Sequence, residues 1–151
     1  MRHLVQLVIA AALLTHAASS RAQSAELATA RAAWQRAALG AYEYGYHKYC
    51  ECYRDAPPET IVTVHDDTVT GVRHRPQNSD VEVPAPRNID SYWTVDGLFA
   101  LLDAALKRGA EVRAAYDATL GYPTEIYIDY DRDLVGDELD LRLTRVAALE
   151  R

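Results

Sequence analysis

The chain has 151 residues, of which 49% are hydrophobic and 25% are charged, and its formal net charge is −6. This length and composition are typical of one globular domain and exclude a disordered chain. The negative charge opposes binding to phosphate backbones and anionic membranes, so nucleic acid is excluded as an expected partner.

Residues 1–22 have the pattern of a secretory signal peptide. A short basic start precedes the apolar run Leu4–Leu14, and small residues follow before a cleavage point. The run is too short for a permanent transmembrane helix, although a retained N-terminal anchor is the alternative. We expect a single mature domain at 23–151 that is secreted or periplasmic and has no membrane span. Removing the two signal-peptide arginines lowers the basic total from 16 to 14 against 22 acidic residues, a net charge near −8.

The first elements after the signal are a helix and a strand. Helix-favouring residues predict a helix over Ala25–Leu39, with Ser24 as its N-cap and Gly40 as its stop. The stretch Tyr42–Tyr53 alternates with the period of a strand. We expect one buried face and one wetter face. The first face carries Tyr42, Tyr44, Tyr46, Lys48, Cys50 and Cys52, and the second carries Glu43, Gly45, His47, Tyr49, Glu51 and Tyr53.

The middle of the chain predicts a hairpin, a long connection and a second helix. β-Branched, alternating residues favour strands at Thr60–His65 and Thr68–His74, joined by an Asp-Asp turn. Residues 75–92 lack periodicity and contain three prolines, which indicates a surface connection. Thr94–Arg108 predicts a helix that Thr94 caps and Gly109 ends, because apolar residues form a broad stripe between them.

The last part of the chain predicts three strands. They cover Val112–Asp117, Tyr122–Tyr130 and the alternating residues from Leu139 to Thr144. Each half of the chain is therefore a helix followed by an antiparallel meander. We expect an α+β fold in which the two halves share one sheet and both helices pack on one face.

Cys50 and Cys52 are the first candidate site. Residues two apart on a strand point the same way, but their separation is near the upper limit for a disulfide. Three interpretations remain open: a strained cystine or two small core residues, a metal site that also uses His47, and a thiol-exchange pair. The spacing differs from Cys-x-x-Cys at a helix N-terminus, where thiol pKa values are lowered.

The acidic loop after the fifth predicted strand is the second candidate site. Asp129, Asp131, Asp133 and Asp137 have a spacing that suggests calcium ligands. The pattern departs from a calcium-binding loop because Leu134 stands where glycine is needed and strands flank the loop. A solvated turn is the competing interpretation.

Catalytic motifs are absent from the sequence. It contains no Gly-x-Ser-x-Gly, no His-Glu-x-x-His and no phosphate-binding glycine loop, so we expect no enzyme and no cofactor. The candidate binding residues are Tyr44, Tyr46, His47 and Tyr122, because aromatic side chains dominate binding surfaces. The same tyrosines could instead form the core.

Four stretches resemble a known family. YEYGYHKYCEC, TVDGLFALL, AAYDATLGYPTEIYID and the following GDE are similar to the bacterial "domain of unknown function 6174" family over roughly residues 30–145. The resemblance implies a secreted or lipid-anchored protein in which Cys50 and Cys52 act as a pair, and it implies no activity. This chain lacks the lipid-attachment cysteine, which favours a free form. The positions that match the family's recurring residues are Tyr44, Cys50, Cys52, Phe99, Tyr116, Asp117, Gly121, Tyr122, Pro123, Asp129, Asp137 and Glu138.

These observations predict a secreted or periplasmic, non-enzymatic binding or inhibitor-like module. The expected partner is an envelope or extracellular protein. The alternative is a metal-binding or thiol-redox protein that acts through Cys50 and Cys52.

Overall fold

The computed structural model of the chain describes residues 21–49, 58–76, 81–84 and 89–150. It contains two α-helices and a seven-stranded antiparallel sheet, which confirms the predicted α+β class. Helix α1 covers residues 21–37 and helix α2 covers Val95–Arg108. The strands are β1 Ala41–Tyr49, β2 Glu59–His65, β3 Thr68–Arg75, β4 Val83–Pro84, β5 Glu111–Tyr116, β6 Pro123–Asp129 and β7 Leu139–Ala148.

The strand order in the sheet is β4-β3-β2-β1-β7-β6-β5. The first and last long strands, β1 and β7, therefore pair at the centre, with Tyr44 opposite Val146 and Tyr46 opposite Leu143. A bulge at Gly45 and Tyr46 shifts the register between them. The hairpins β2–β3 and β5–β6 lie on either side of this central pair.

Local signals account for α2 and for the first hairpin. The Thr94 hydroxyl accepts a hydrogen bond from the Gly97 N–H at 3.0 Å, and Gly109 ends the helix at a φ of 78°. The turn between β2 and β3 places Asp66 and Asp67 at φ values of 46° and 53°. Left-handed conformations at both turn residues match the twist of a two-residue hairpin. These predictions are confirmed.

Other boundaries differ from the predicted ones. Ser24 lies inside α1, so the prediction that it caps the helix is wrong. The helix ends at residue 37, and the left-handed conformation occurs at Ala38 with a φ of 49° instead of at Gly40. The connection over 75–92 contains the short strand β4 and a 3₁₀ helix at Ile89–Ser91, which no periodicity in the sequence indicates. The predicted strand over 42–53 is observed as far as Tyr49, and its remainder lies outside the described residues.

A single cluster of buried side chains joins the helices to the sheet. It takes one stripe from each helix and alternate residues from the long strands, which the periods of helix and strand predict. Its helical members are Leu27, Ala30, Trp34, Val95, Leu98, Phe99, Leu102 and Ala105, and its strand members are Tyr42, Tyr44, Tyr46, Val62, Val64, Val112, Ile126, Ile128, Leu139, Leu141 and Leu143. We call the side of the sheet that carries these strand residues the core face and the opposite side the outer face.

Contacts at the ends of the elements fix α1. The Trp34 indole N–H donates to Asp96 of α2 at 2.9 Å, and its ring packs edge-on against Tyr42 at 5.1 Å. Gly121, at a φ of 81°, lets the β5–β6 turn approach the α1 backbone at Ala30, where a Cβ atom would overlap the carbonyl oxygen. Among the described helices, neither is both long and apolar enough to cross a membrane.

Candidate functional site

The candidate binding tyrosines of β1 lie in the core. Tyr44 is 1% exposed, and its hydroxyl donates to the Trp93 carbonyl at 2.6 Å. The neighbouring Tyr42 hydroxyl accepts from the Val95 N–H at 2.9 Å. Burial raises the pKa of the Tyr44 hydroxyl well above its ordinary value, and it raises that of Tyr42 too. These hydroxyl groups therefore attach the start of α2 to the centre of the sheet.

The other candidate binding residues divide between the core and the outer face. Tyr46 and Tyr122 are 6% and 9% exposed, and burial raises the pKa of Tyr122. His47 is half-buried, alternates onto the outer face, and has its ring 6.2 Å from that of Tyr49. A binding role for these residues stays a prediction, and of the four candidates only His47 belongs to the outer face.

The structure does not test the cysteine pair. Cys50 and Cys52 lie outside the described residues, so the disulfide, the metal site and the thiol pair all stay predictions. His47, the third proposed metal ligand, lies on β1 before them.

Two of the four candidate ligands in the acidic loop, Asp129 and Asp137, are half-buried. Asp129 and Asp137 each have a buried carboxylate oxygen, Oδ1, that lacks a hydrogen-bond partner in the described structure. Asp131 and Asp133 are exposed, and the Asp131 carboxylate accepts from the Asp133 N–H at 3.1 Å. Within the described part of the chain, no group of three or more acidic, histidine or cysteine side chains is arranged to hold a metal ion. The calcium site stays a prediction.

The pKa of the Asp129 carboxyl group is raised in the folded protein. Desolvation raises its pKa, and the nearby carboxylates of Asp137, Glu138 and Glu111 raise it further, whereas Arg132 lowers it. A carboxylate that lacks a partner and faces other carboxylates is harder to ionise than a solvated one. The charged form of Asp129 is therefore less favoured in the folded protein than in a solvated carboxyl group.

The outer face of β1 to β4 carries a connected set of ion pairs, which we call the ion network. Arg73 donates to Glu43 at 2.9 Å and to Glu82 at 2.6 Å. Arg75 donates to the second oxygen of Glu82 and to Glu59, both at 2.6 Å. The carboxylates raise the pKa of both guanidinium groups, and the two guanidinium groups lower the pKa of Glu82. Each arginine in this region thus has two carboxylate partners.

The ion network extends across the centre of the sheet at Gly45. The Thr144 hydroxyl of β7 donates to the Glu59 carboxylate of β2 at 2.5 Å, and the bond passes over β1. A Cβ atom at Gly45 would overlap both the Glu59 carboxylate and the Thr144 hydroxyl. Glycine therefore provides the space for a side-chain bond that connects the two sides of the sheet.

The outer face of β5, β6 and β7 carries a groove of about 350 Å³. Its lining includes Arg113, Glu125, Tyr127, Asp140 and Arg142. The register places Arg113 opposite Tyr127, and it places Glu125 opposite Arg142. Residues from three strands thus contribute to one concave surface, which we call the outer groove.

Both groove arginines lie on tyrosine rings. The Arg113 guanidinium carbon is 4.1 Å from the centre of the Tyr127 ring, and that of Arg142 is 5.3 Å from the centre of the Tyr49 ring. In the described structure neither arginine has a carboxylate within ion-pair distance. Stacking holds a guanidinium plane in place and leaves its N–H edge available to a ligand. The outer groove can therefore bind carboxylate groups without breaking an existing ion pair.

Sequence reasoning did not identify Arg73, Arg75, Arg113 or Arg142. Strand alternation does place charged residues on the outer face of β3, β5 and β7, and that signal was available. It could not show which arginines have carboxylate partners, because those partners come from other strands.

These features define a small α+β domain whose sheet has a paired and an unpaired set of arginines on its outer face. The chain belongs to the family of unknown function DUF6174, whose model matches residues 26–148. The match spans every strand of the sheet. No curated protein and no solved structure matched the chain.

Proposed function

We propose that the protein is a secreted or periplasmic, non-enzymatic binding module and that the outer groove binds its ligand. The observation that carries this proposal is the pair of stacked arginines, Arg113 and Arg142, without carboxylate partners in the described chain. The groove volume of about 350 Å³ lies within the usual range of ligand pockets. The signal-peptide pattern in residues 1–22 supports the location.

The arrangement of the helices supports the choice of the outer face. We infer that the two helix-plus-meander halves share the sheet and that both helices cover its core face. The contacts of Trp34 with Tyr42 and of Val95 with the Tyr42 hydroxyl support this arrangement. A sheet covered on one side by helices offers its other side to partners, as antiparallel sheets commonly do.

The chemistry of the groove indicates what it binds. Guanidinium groups with free N–H edges recognise carboxylates, often through two parallel hydrogen bonds. Glu125 and Asp140 lie beside the arginines and oppose the approach of a multiply charged anion. We therefore expect the ligand to present a single carboxylate, as an acidic side chain or a C-terminus of an envelope or extracellular protein does.

Substitution of the groove arginines tests this function. We expect Arg113→Ala and Arg142→Ala each to weaken binding of a captured partner protein about tenfold, because a charge-assisted hydrogen bond is lost. The partner is captured on immobilised protein and its affinity is measured by calorimetry. The control is Arg36→Ala with Arg108→Ala, two exposed arginines on the helices. Equal affinity for the groove variants and the control would exclude the outer groove as the binding site.

Metal binding or thiol exchange at Cys50 and Cys52 is a separate hypothesis from the sequence. It rests on two cysteines at a strand spacing close to His47. Intact mass with and without thiol alkylation distinguishes the states of the pair. Two alkylated thiols in protein from an oxidising compartment would exclude the cystine, and zinc titration would then test the metal site.

A further inference from the structure

Strand β4 and the preceding Glu82 attach to the edge of β3. β4 pairs with β3 through two residues, with Arg73 opposite Pro84 and His74 opposite Val83. This pairing engages two of the eight residues of β3. A two-residue strand has little stability of its own, so side-chain contacts must contribute to its attachment.

Glu82 supplies two charge-assisted contacts of this kind. Its Oε2 accepts from the Arg73 Nε–H and its Oε1 accepts from the Arg75 Nη2, both at 2.6 Å. One carboxylate therefore bridges two guanidinium groups on the same strand. The adjacent Val81 and Val83 side chains are 68% and 44% exposed, so apolar burial contributes little to the attachment.

The arginine pair has room for one carboxylate in addition to its fixed partners. Arg73 also binds Glu43, and Arg75 also binds Glu59. These two acids belong to β1 and β2, so they remain when β4 is displaced. Glu43 and Glu59 would repel a dianion such as a phosphate monoester. A single carboxylate is repelled less and can still accept hydrogen bonds from both guanidinium groups.

We propose that the edge of β3 is a docking site for an extended acidic peptide of a partner protein, and that Val81–Pro84 of the same chain occupies this site. Docking adds a strand to β3 and places a glutamate or aspartate between Arg73 and Arg75. Strand addition supplies affinity through main-chain hydrogen bonds, and the carboxylate supplies specificity. The internal segment competes because its tether gives it a high effective concentration.

The test uses a peptide with the protein's own sequence. The probe is the capped peptide of residues 81–86, Val-Glu-Val-Pro-Ala-Pro, and its control has glutamine in place of the glutamate. The full chain carrying Glu82→Ala is titrated with each peptide, and binding is followed by NMR shifts of the β3 amides. Because the internal carboxylate is gone, we expect this variant to bind the probe at least about tenfold more tightly than the unmodified protein does. The glutamine peptide should bind the variant about tenfold more weakly than the probe.

Further variants keep the test decisive. Glu82→Gln preserves the shape of the side chain and replaces Glu82→Ala if that variant fails to fold. Adding Arg75→Gln should abolish the preference for the acidic peptide, whereas adding Arg108→Ala at an exposed position on α2 should leave it unchanged. Equal binding of both peptides, or no binding by a folded Glu82 variant at millimolar peptide, would overturn the proposal. A variant that dimerises and ignores the peptide would assign the edge of β3 to a second copy of the chain, which also overturns it.

Discussion

The outer face has two regions, one on β1 to β4 and one on β5 to β7. Both contain arginines, but the arginines have different contacts in each region. On β3, Arg73 and Arg75 each contact two carboxylates. On β5 and β7, Arg113 and Arg142 lie on tyrosine rings and have no carboxylate partner in the described structure. The first pair connects β1, β2 and β3 to each other and to the residue before β4, whereas the second pair leaves its N–H edges free.

We infer from this difference that carboxylate pairing, more than residue type, separates the structural arginines from those that we propose bind a ligand. We propose that Arg73 and Arg75, which each have two carboxylate partners, bind a ligand by exchanging Glu82 for its carboxylate. A stacked guanidinium group exchanges only water. The acidic residues of the two regions differ too. The pKa of Glu82, next to β4, is lowered, whereas the pKa of Asp129, at the end of β6, is raised.

Removing one arginine from each side gives the largest expected contrast. We expect Arg73→Ala to lower the free energy of unfolding by about 1–2 kcal/mol, because Glu43 and Glu82 lose a charge-assisted partner at a site that is partly screened by solvent. We expect Arg113→Ala to lower it by only about 0.5 kcal/mol, the contribution of an exposed cation–π contact. Urea unfolding at neutral pH and low salt measures both values.

Salt provides the control for this contrast. High salt screens the ion network and should reduce the difference between Arg73→Ala and the unmodified protein. Arg108→Ala, at an exposed position near the end of α2, serves as a matched surface variant. Equal destabilisation by Arg73→Ala and Arg113→Ala would mean that the two sides of the outer face do not differ energetically.

The titration of Glu82 provides the second contrast. Arg73 and Arg75 hold its pKa below the ordinary carboxyl value. A lowered pKa in the folded state means that the charged carboxylate stabilises the protein above the ordinary value, and this stabilisation is lost as pH falls through the lowered value. We therefore expect Glu82→Gln to lower Tm at neutral pH and to converge with the unmodified protein under acid conditions.

Thermal melts across the acid range measure this convergence. Glu150→Gln, at an exposed position near the chain end, is the control and should not reproduce it. A Tm difference for Glu82→Gln that persisted unchanged in strong acid would contradict an origin in the charge of the carboxylate.

Local signals in the sequence predict a large part of this fold. Thr94 and Gly109 identify the ends of α2, and Asp66-Asp67 identifies a hairpin, because each signal depends on residues within one turn of the chain. Alternation in β1 also separates Tyr42, Tyr44 and Tyr46 from His47 correctly. It leaves open whether the tyrosines form a core or a groove, since either side of a strand can be buried.

The outer groove and the ion network depend on information that local patterns lack. The groove forms because β7 pairs with β6, which brings Arg142 beside Glu125. The network needs β4, a two-residue strand without any periodic signal, to bring Glu82 to Arg73. Both sites therefore require the pairing of distant strands, and sequence alternation indicates only that these side chains share a face.

The smallest expected effect concerns Asp129, and its sign is opposite to that of Glu82. Burial and the neighbouring acids raise the pKa of Asp129, so the folded state disfavours the charged carboxylate. The resulting destabilisation is absent below the ordinary carboxyl pKa and is complete once pH exceeds the raised value. We expect Asp129→Asn to raise Tm slightly at neutral pH in the presence of a chelator, and to match the unmodified protein in acid. The exposed Asp133→Asn should leave Tm unchanged at both pH values.

Calcium changes the prediction for Asp129 in a way that tests the acidic loop directly. If the loop binds calcium, the ion neutralises the buried carboxylates of Asp129 and Asp137 and stabilises the unmodified protein in proportion to its concentration. The advantage of Asp129→Asn would then reverse when calcium replaces the chelator. If calcium leaves both Tm values unchanged, the loop is a solvated acidic turn. In that case the buried oxygens of Asp129 and Asp137 lower the stability of the fold.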